Sequence, residues 1–191
     1  RTTKVLLVAG GPMREYRFLR TQLFRDATTS VDVYLQSASA GISQEANRVL
    51  SEFPRDADEL YEYDCIVAFD PAWHALEQEQ LDLPETWVAD EAGGLIVFAG
   101  PVHTQSWTQA PDMEKIRSLY PVDFEQRLSL LDDGRFGSTE PWPVEFNREG
   151  LESEFLWLAD TATESARLWS SFPGVYGYFS VRGAKPAATV Y

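Results

Sequence analysis

Three stretches of this chain are apolar throughout and stop at glycine or proline: VLLVA at 5–9 before GGP, CIVAF at 65–69 before DP, and LIVF at 95–98 before AGP. A strand with one wet face alternates apolar and polar residues. A strand without a polar face must be covered on both sides, which is the situation of a parallel sheet between layers of helix. The intervening segments have helical spacing. Residues 13–24 carry Tyr16, Leu19, Leu23 and Phe24, and residues 73–91 read as helical segments interrupted at Pro84. Residues 31–35 (VDVYL) make a further strand, and 43–53 predict a helix capped by Ser43, with Ala46, Val49, Leu50 and Phe53 on one face. With right-handed crossovers, this alternation predicts an α/β, flavodoxin-like three-layer sandwich with a mainly parallel sheet over about residues 1–125.

Past Pro121 the pattern loosens into an irregular C-terminal elaboration over about 126–191. Asp132, Asp133 and Gly134, then Gly137 and Ser138, are turn signals. PWPVEF at 141–146 and VYGYFSV at 175–181 read as strands, 151–158 as a short helix, and Thr161 with Glu164 as a capping box opening a helix through Trp169. With 44% hydrophobic residues among 191, the chain has enough apolar material for one sizeable core, and it reads as a single domain.

The charge balance excludes one class of partner. Sixteen basic against thirty acidic residues give a net charge of -14, which repels a phosphate backbone, so nucleic acid is not expected. No apolar run reaches the roughly 20 residues of a membrane span, so this segment is expected to make no membrane contact of its own. The single cysteine, Cys65, excludes an internal disulfide and leaves the compartment open.

Three features supply chemistry. Gly10 and Gly11 precede a helix bearing Arg14, Arg17 and Arg20; a glycine turn at a helix start offers N–H groups, and arginines offer bidentate donors to a small anion. The competing use of these arginines is pairing with Asp26, Asp64 or Asp70. His74 follows the third strand and His103 the fourth, so neighbouring strands would bring both rings and Asp70 to one sheet edge, the donor set for a divalent metal or a general acid and base. The competing reading is two unrelated loop histidines, since no close ligand spacing supports a metal. The third feature is aromatic. Trp107, Trp142, Trp157, Trp169, Tyr176, Tyr178 and Phe179 crowd the second half, mostly as core, with Trp107 and residues 176–178 as candidates for a protein-binding patch. The acidic runs at 56–64 and 77–82 lack calcium-loop spacing and read as solvated helix faces.

The stretches VLLVAGGPMREYRFLRTQLFRD, YDCIVAFDP and GGLIVFAGP, followed by PGVYGYFSVRGAKPAATV, resemble the class I glutamine amidotransferase-like domains of bacterial proteins that also carry von Willebrand factor A domains. The resemblance spans nearly the whole chain. It implies a flavodoxin-like fold within a larger, membrane-anchored protein, of which this chain is a piece, with other domains of that protein or a separate protein as partners.

The residues do not supply the chemistry of an amidotransferase. That reaction needs a cysteine thiolate on a tight turn after a strand, a histidine base and an oxyanion hole. The turn at Ala99, Gly100 and Pro101 has no thiol or hydroxyl, and Pro101 has no N–H. Cys65 opens its strand, about 16 Å from the edge where such sites lie. No Gly-x-Ser-x-Gly elbow occurs, and Ser106 lies beyond the turn. The expectation is a silent amidotransferase-like module without a catalytic residue or cofactor, with Gly10, Gly11, Arg14, Arg17, Asp70, Gly100 and His103 around a ligand site. The alternative is a hydrolase, with or without a metal, built on His74, His103 and Asp70.

Overall fold

The computed structural model describes residues 2–39, 43–124 and 138–191. The chain divides into two compact units, Arg1–Tyr120 and Pro121–Tyr191. The first contains β1 (Thr3–Ala9), α1 (Arg14–Arg25), β2 (Thr29–Leu35), β3 (Arg48–Val49), α2 (Ala57–Leu60), β4 (Cys65–Phe69), α3 (Gln78–Ala89), β5 (Gly94–Phe98), α4 (Thr104–Thr108) and α5 (Glu114–Ser118). Its sheet has the order β3-β2-β1-β4-β5, and every neighbouring pair is parallel. The α/β class and the parallel sheet follow from the apolar runs, because the two central strands, β1 and β4, are buried above and below over most of their length. The four long strands keep the flavodoxin-like order, with the two-residue β3 added outside β2.

The core sits on both faces of β1. Leu6, Leu7, Val8 and Ala9 are fully buried, as are Ile66 and Ala68 of β4. Burying a leucine or isoleucine side chain contributes about 2 kcal/mol. On one face Val5, Leu7 and Ala9 join Val31, Val33, Val67 and Phe69 beneath Tyr16 of α1. Trp73, Trp87, Trp107 and Phe53 are among the other large side chains hidden from solvent. Trp107 is therefore core, and its expected place in a binding patch is corrected.

Two local expectations fail for physical reasons. Residues 43–53 form no helix: Arg48 and Val49 extend along β2 opposite Asp32 and Val33, the Asn47 side chain accepts the Val31 N–H at 2.8 Å, and the Leu50 N–H reaches the Val33 carbonyl at 2.8 Å. The open edge of β2 outcompetes the helix, and an asparagine side chain bonding to backbone favours that outcome. Pro84 lies inside α3 and does not interrupt it. The helix buries Gln80, Leu81, Pro84 and Trp87, and a capping box of Glu77 and Gln80 fixes its start, which together offset the missing N–H.

The second unit holds β6 (Val122–Phe124), α6 (Arg148–Glu152), α7 (Ala162–Ser170) and β7 (Val181–Ala184), with β6 and β7 antiparallel. Thr161 caps α7, its hydroxyl accepting the Glu164 N–H at 3.2 Å, as the capping box predicts. The helix expected at 151–158 is α6 followed by a short 3-10 turn, Glu154–Leu156. The strand expected at 175–181 forms only at its end in β7, and PWPVEF contributes a single bridge, Trp142 to Val175. Pro141 and Pro143 cannot donate to a ladder, which limits pairing there. Aromatic rings meet edge to face, Phe146 on Trp169 at 4.9 Å and Trp142 on Tyr178 at 5.4 Å. The turn signals at Asp132, Asp133, Gly134 and Gly137 fall outside the described residues. Among the described residues, no helix is long and apolar enough to cross a membrane.

Candidate functional site

The chain runs outward from β1 to β2 and β3, then returns to β4 on the other side of β1, so the switch point lies between the ends of β1 and β4. Gly10 follows β1 and donates its N–H to the Phe69 carbonyl at 3.0 Å; Asp70 follows β4 and donates to the Phe98 carbonyl at 2.8 Å. Three strand ends are thereby tied side by side.

Asp70 organises this edge. Its backbone takes the left-handed region, φ 40°, and the residue is only 2% exposed. One carboxylate oxygen accepts the Val102 N–H at 2.9 Å, the other accepts the Thr104 N–H at 2.8 Å and the Thr104 hydroxyl at 2.7 Å, and the His103 N–H is shared between the two. The Thr104 hydroxyl also accepts the Gly100 N–H at 3.0 Å. The glycines make room for this arrangement. A Cβ on Gly100 would collide with the Asp70 carboxyl, and one on Gly10 with the Asp70 carbonyl and the His103 ring.

Converging N–H groups in the turn after a strand are the equipment that binds an oxyanion or a small anion. Here they are engaged by the protein's own carboxylate, in charge-assisted bonds stronger than those to a neutral acceptor. An external anion would have to displace Asp70 to use them.

The histidines do come together. Their ring centroids are 5.9 Å apart with the planes tilted by 42°; His74 is exposed and His103 half-buried, with one edge of its ring against Gly10. Asp70 does not complete a donor set with them, since its oxygens are bound within the loop. Among the described residues, no group of three or more His, Cys, Asp or Glu side chains is placed to hold a metal ion.

Gly11, Arg14 and Arg17 contribute less. A Cβ on Gly11 would meet nothing, so space does not require glycine there. The Arg14 side chain is 90% exposed, 3.6 Å from Glu15, and Arg17 is also exposed on α1. Arg20 turns inward, donating to Gln44 at 3.0 Å, 3.8 Å from Glu45 and 5.7 Å from the centre of the Tyr16 ring. The expected partners are engaged elsewhere: Asp26 with Thr28, Asp64 with the Lys4 N–H, and Asp70 in its loop. Arg14 and Arg20 find Glu15 and Glu45, which stand nearer on the same or the adjoining segment.

Cys65 stands at the far end of β4, opposite Val5. Burial, reinforced by the charge of Asp64, pushes its thiol above the ordinary cysteine range, the reverse of an activated nucleophile. Two contributors were not legible in the sequence. Thr104 bridges Gly100 and Asp70, and Gln36 clamps the loop after β4, accepting the Ala72 N–H at 2.8 Å and donating to the Ala72 carbonyl at 3.1 Å. A threonine four residues beyond a glycine turn is the only signal that pointed to the first.

Comparison with protein-family models, curated proteins and solved structures finds no match to this chain.

Proposed function

We propose that this chain is a catalytically silent member of the class I glutamine amidotransferase-like domains and serves as an interaction or ligand-sensing module of a larger bacterial protein. The observation that carries the reading is the Asp70 carboxylate seated on the N–H groups of Val102, His103 and Thr104. An acyl-transfer site keeps such donors for the substrate oxyanion and places a nucleophile beside them. In this chain the donors are occupied, and Ala99, Gly100 and Pro101 bring no nucleophilic atom to the turn. His103 has no thiol or hydroxyl there to deprotonate.

Ammonia release from glutamine, followed alongside mass spectrometry after exposure to a glutamine-derived thiol label, tests this with and without added Zn. The expected result is no ammonia above the protein-free control and an unlabelled Cys65 at neutral pH. Turnover with Cys65 labelled overturns the reading, and Zn-dependent turnover lost in His74→Ala transfers the chemistry to the paired imidazoles.

A further inference from the structure

A cavity apart from the Asp70 carboxylate and the histidines lies at the end of β2. The chain leaves β2 at Leu35, and Arg48 and Val49 bring it back along the same strand as β3. Between residues 34–39 and 43–51 this leaves about 350 Å³, at the small end of the range for ligand sites. The place is the carboxyl end of a strand, the edge at which open parallel sheets bind ligands. Its frame is tied down. The Gln36 N–H reaches the Ala9 carbonyl at 2.9 Å, the Gln36 side chain is held by Ala72, and the Leu50 N–H reaches the Val33 carbonyl at 2.8 Å.

The lining has a consistent chemistry. None of the described residues around the cavity carries a charge, in a chain of which 24% is charged. A charged ligand would lose hydration there and gain no counter-charge. Tyr34, Leu35, Val49 and Leu50 make an apolar strip. Ser39, Ser43 and Ser51 add hydroxyls that have no hydrogen-bond partner among the described residues. Gln44 belongs to the same wall. Its carbonyl oxygen accepts the Tyr16 hydroxyl at 2.5 Å and the Arg20 guanidinium at 3.0 Å, which fixes the orientation of the amide. The NH2 end is left buried without an acceptor among the described residues. A donor in that state is costly, so this wall favours an occupant that brings oxygen atoms.

We infer that the cavity binds a neutral monosaccharide. A sugar ring sets its C–H face on an apolar strip and carries uncharged hydroxyls that both donate and accept, the match for serine hydroxyls and an amide short of an acceptor. The inference rests on the ligand-sensing half of the proposed function, and names the place and the ligand's chemistry.

Saturation-transfer NMR on the full chain measures this, with glucose, galactose, mannose and ribose as probes and glucuronate and glucosamine as charged controls. At least one neutral sugar is expected to receive saturation, and the charged sugars at least about fivefold less at equal concentration. Ser51 is exposed, so Ser51→Phe is expected to fill the cavity and abolish the transfer while circular dichroism and the thermal midpoint stay unchanged. Ser51→Ala removes one hydroxyl and is expected to weaken binding about fivefold. No transfer to any neutral sugar, equal transfer to neutral and charged sugars, or transfer that survives Ser51→Phe overturns the inference. Where Ser51→Phe fails to fold, Ser51→Ala decides, and undiminished binding overturns it. Ammonia release from glutamine would defeat the silent-module reading and leave these results standing, so the two failures are distinguishable.

Discussion

A carboxylate as buried as Asp70 survives only if every oxygen is engaged, and no lysine or arginine forms an ion pair with it among the described residues. Four donors from one short loop do the work instead. Asp70→Ala strands those buried N–H groups and is expected to cost about 3 kcal/mol. Asp70→Asn keeps the shape and tolerates the left-handed backbone, but its NH2 faces donors on one side, so it is expected to cost about half as much. Urea unfolding followed by tryptophan fluorescence checks both, and an Asp70→Ala variant as stable as the parent would remove Asp70 from its organising role. The sequence marked Gly10, Asp70, Gly100 and His103 because each follows an apolar run, and the structure gathers all four. It did not reveal that Asp70 faces inward. An aspartate after a strand looks the same whether it awaits a ligand or substitutes for one, since the difference lies in the direction of the N–H groups of residues 102–104.

At the level of elements, the entry to β5 depends on two adjacent glycines with different duties. Gly93 donates its N–H to the Trp87 carbonyl at 3.0 Å and lies under the indole, whose own N–H reaches the Tyr63 carbonyl at 3.2 Å. A methyl at Gly93 would enter the Trp87 ring, whereas one at Gly94 meets ordinary contacts, the nearest the Asp64 carbonyl at 3.4 Å. Gly93→Ala is therefore expected to destabilise by about 2 kcal/mol with a shifted tryptophan emission, and Gly94→Ala by less than about 0.5 kcal/mol, compared by thermal unfolding. Equal effects would show that the indole does not set the register. Elements defined by burial were legible: 65–69 matches β4 residue for residue, and α1 lies within one residue of the expected 13–24. Residues 43–53 misled because Val49, Leu50 and Phe53 repeat at helical spacing for unrelated reasons, Val49 pairing with β2 and Phe53 packing on Trp73 at 6.2 Å.

On the scale of the whole molecule, the division at Tyr120 follows from what each side holds. The first unit closes its own sheet and core, and its last residue belongs to that core. The Tyr120 hydroxyl accepts the Trp73 indole N–H at 2.9 Å, and its ring lies 5.0 Å from Trp107. Burial drives that hydroxyl well above the ordinary tyrosine range, and the nearby charge of Asp70 pushes the same way. Two of the largest buried side chains in the unit, Trp73 and Trp107, thus meet at its last residue, which makes the position of a cut decisive. A chain ending at Pro121 is expected to unfold in one cooperative urea transition, because no part of this cluster is removed. A chain ending at Leu119 loses the tyrosine, leaves a cavity beside Trp73 and Trp107 and orphans the Trp73 N–H, and is expected to be less stable by about 3 to 5 kcal/mol. Raised pH should make the longer fragment approach the shorter. A tyrosine whose pKa is higher folded than unfolded contributes stability that is complete below about 10, the unfolded value, and falls away as pH rises beyond it. Matching stabilities of the two fragments at neutral pH would mean that Tyr120 does not close the core of the first unit.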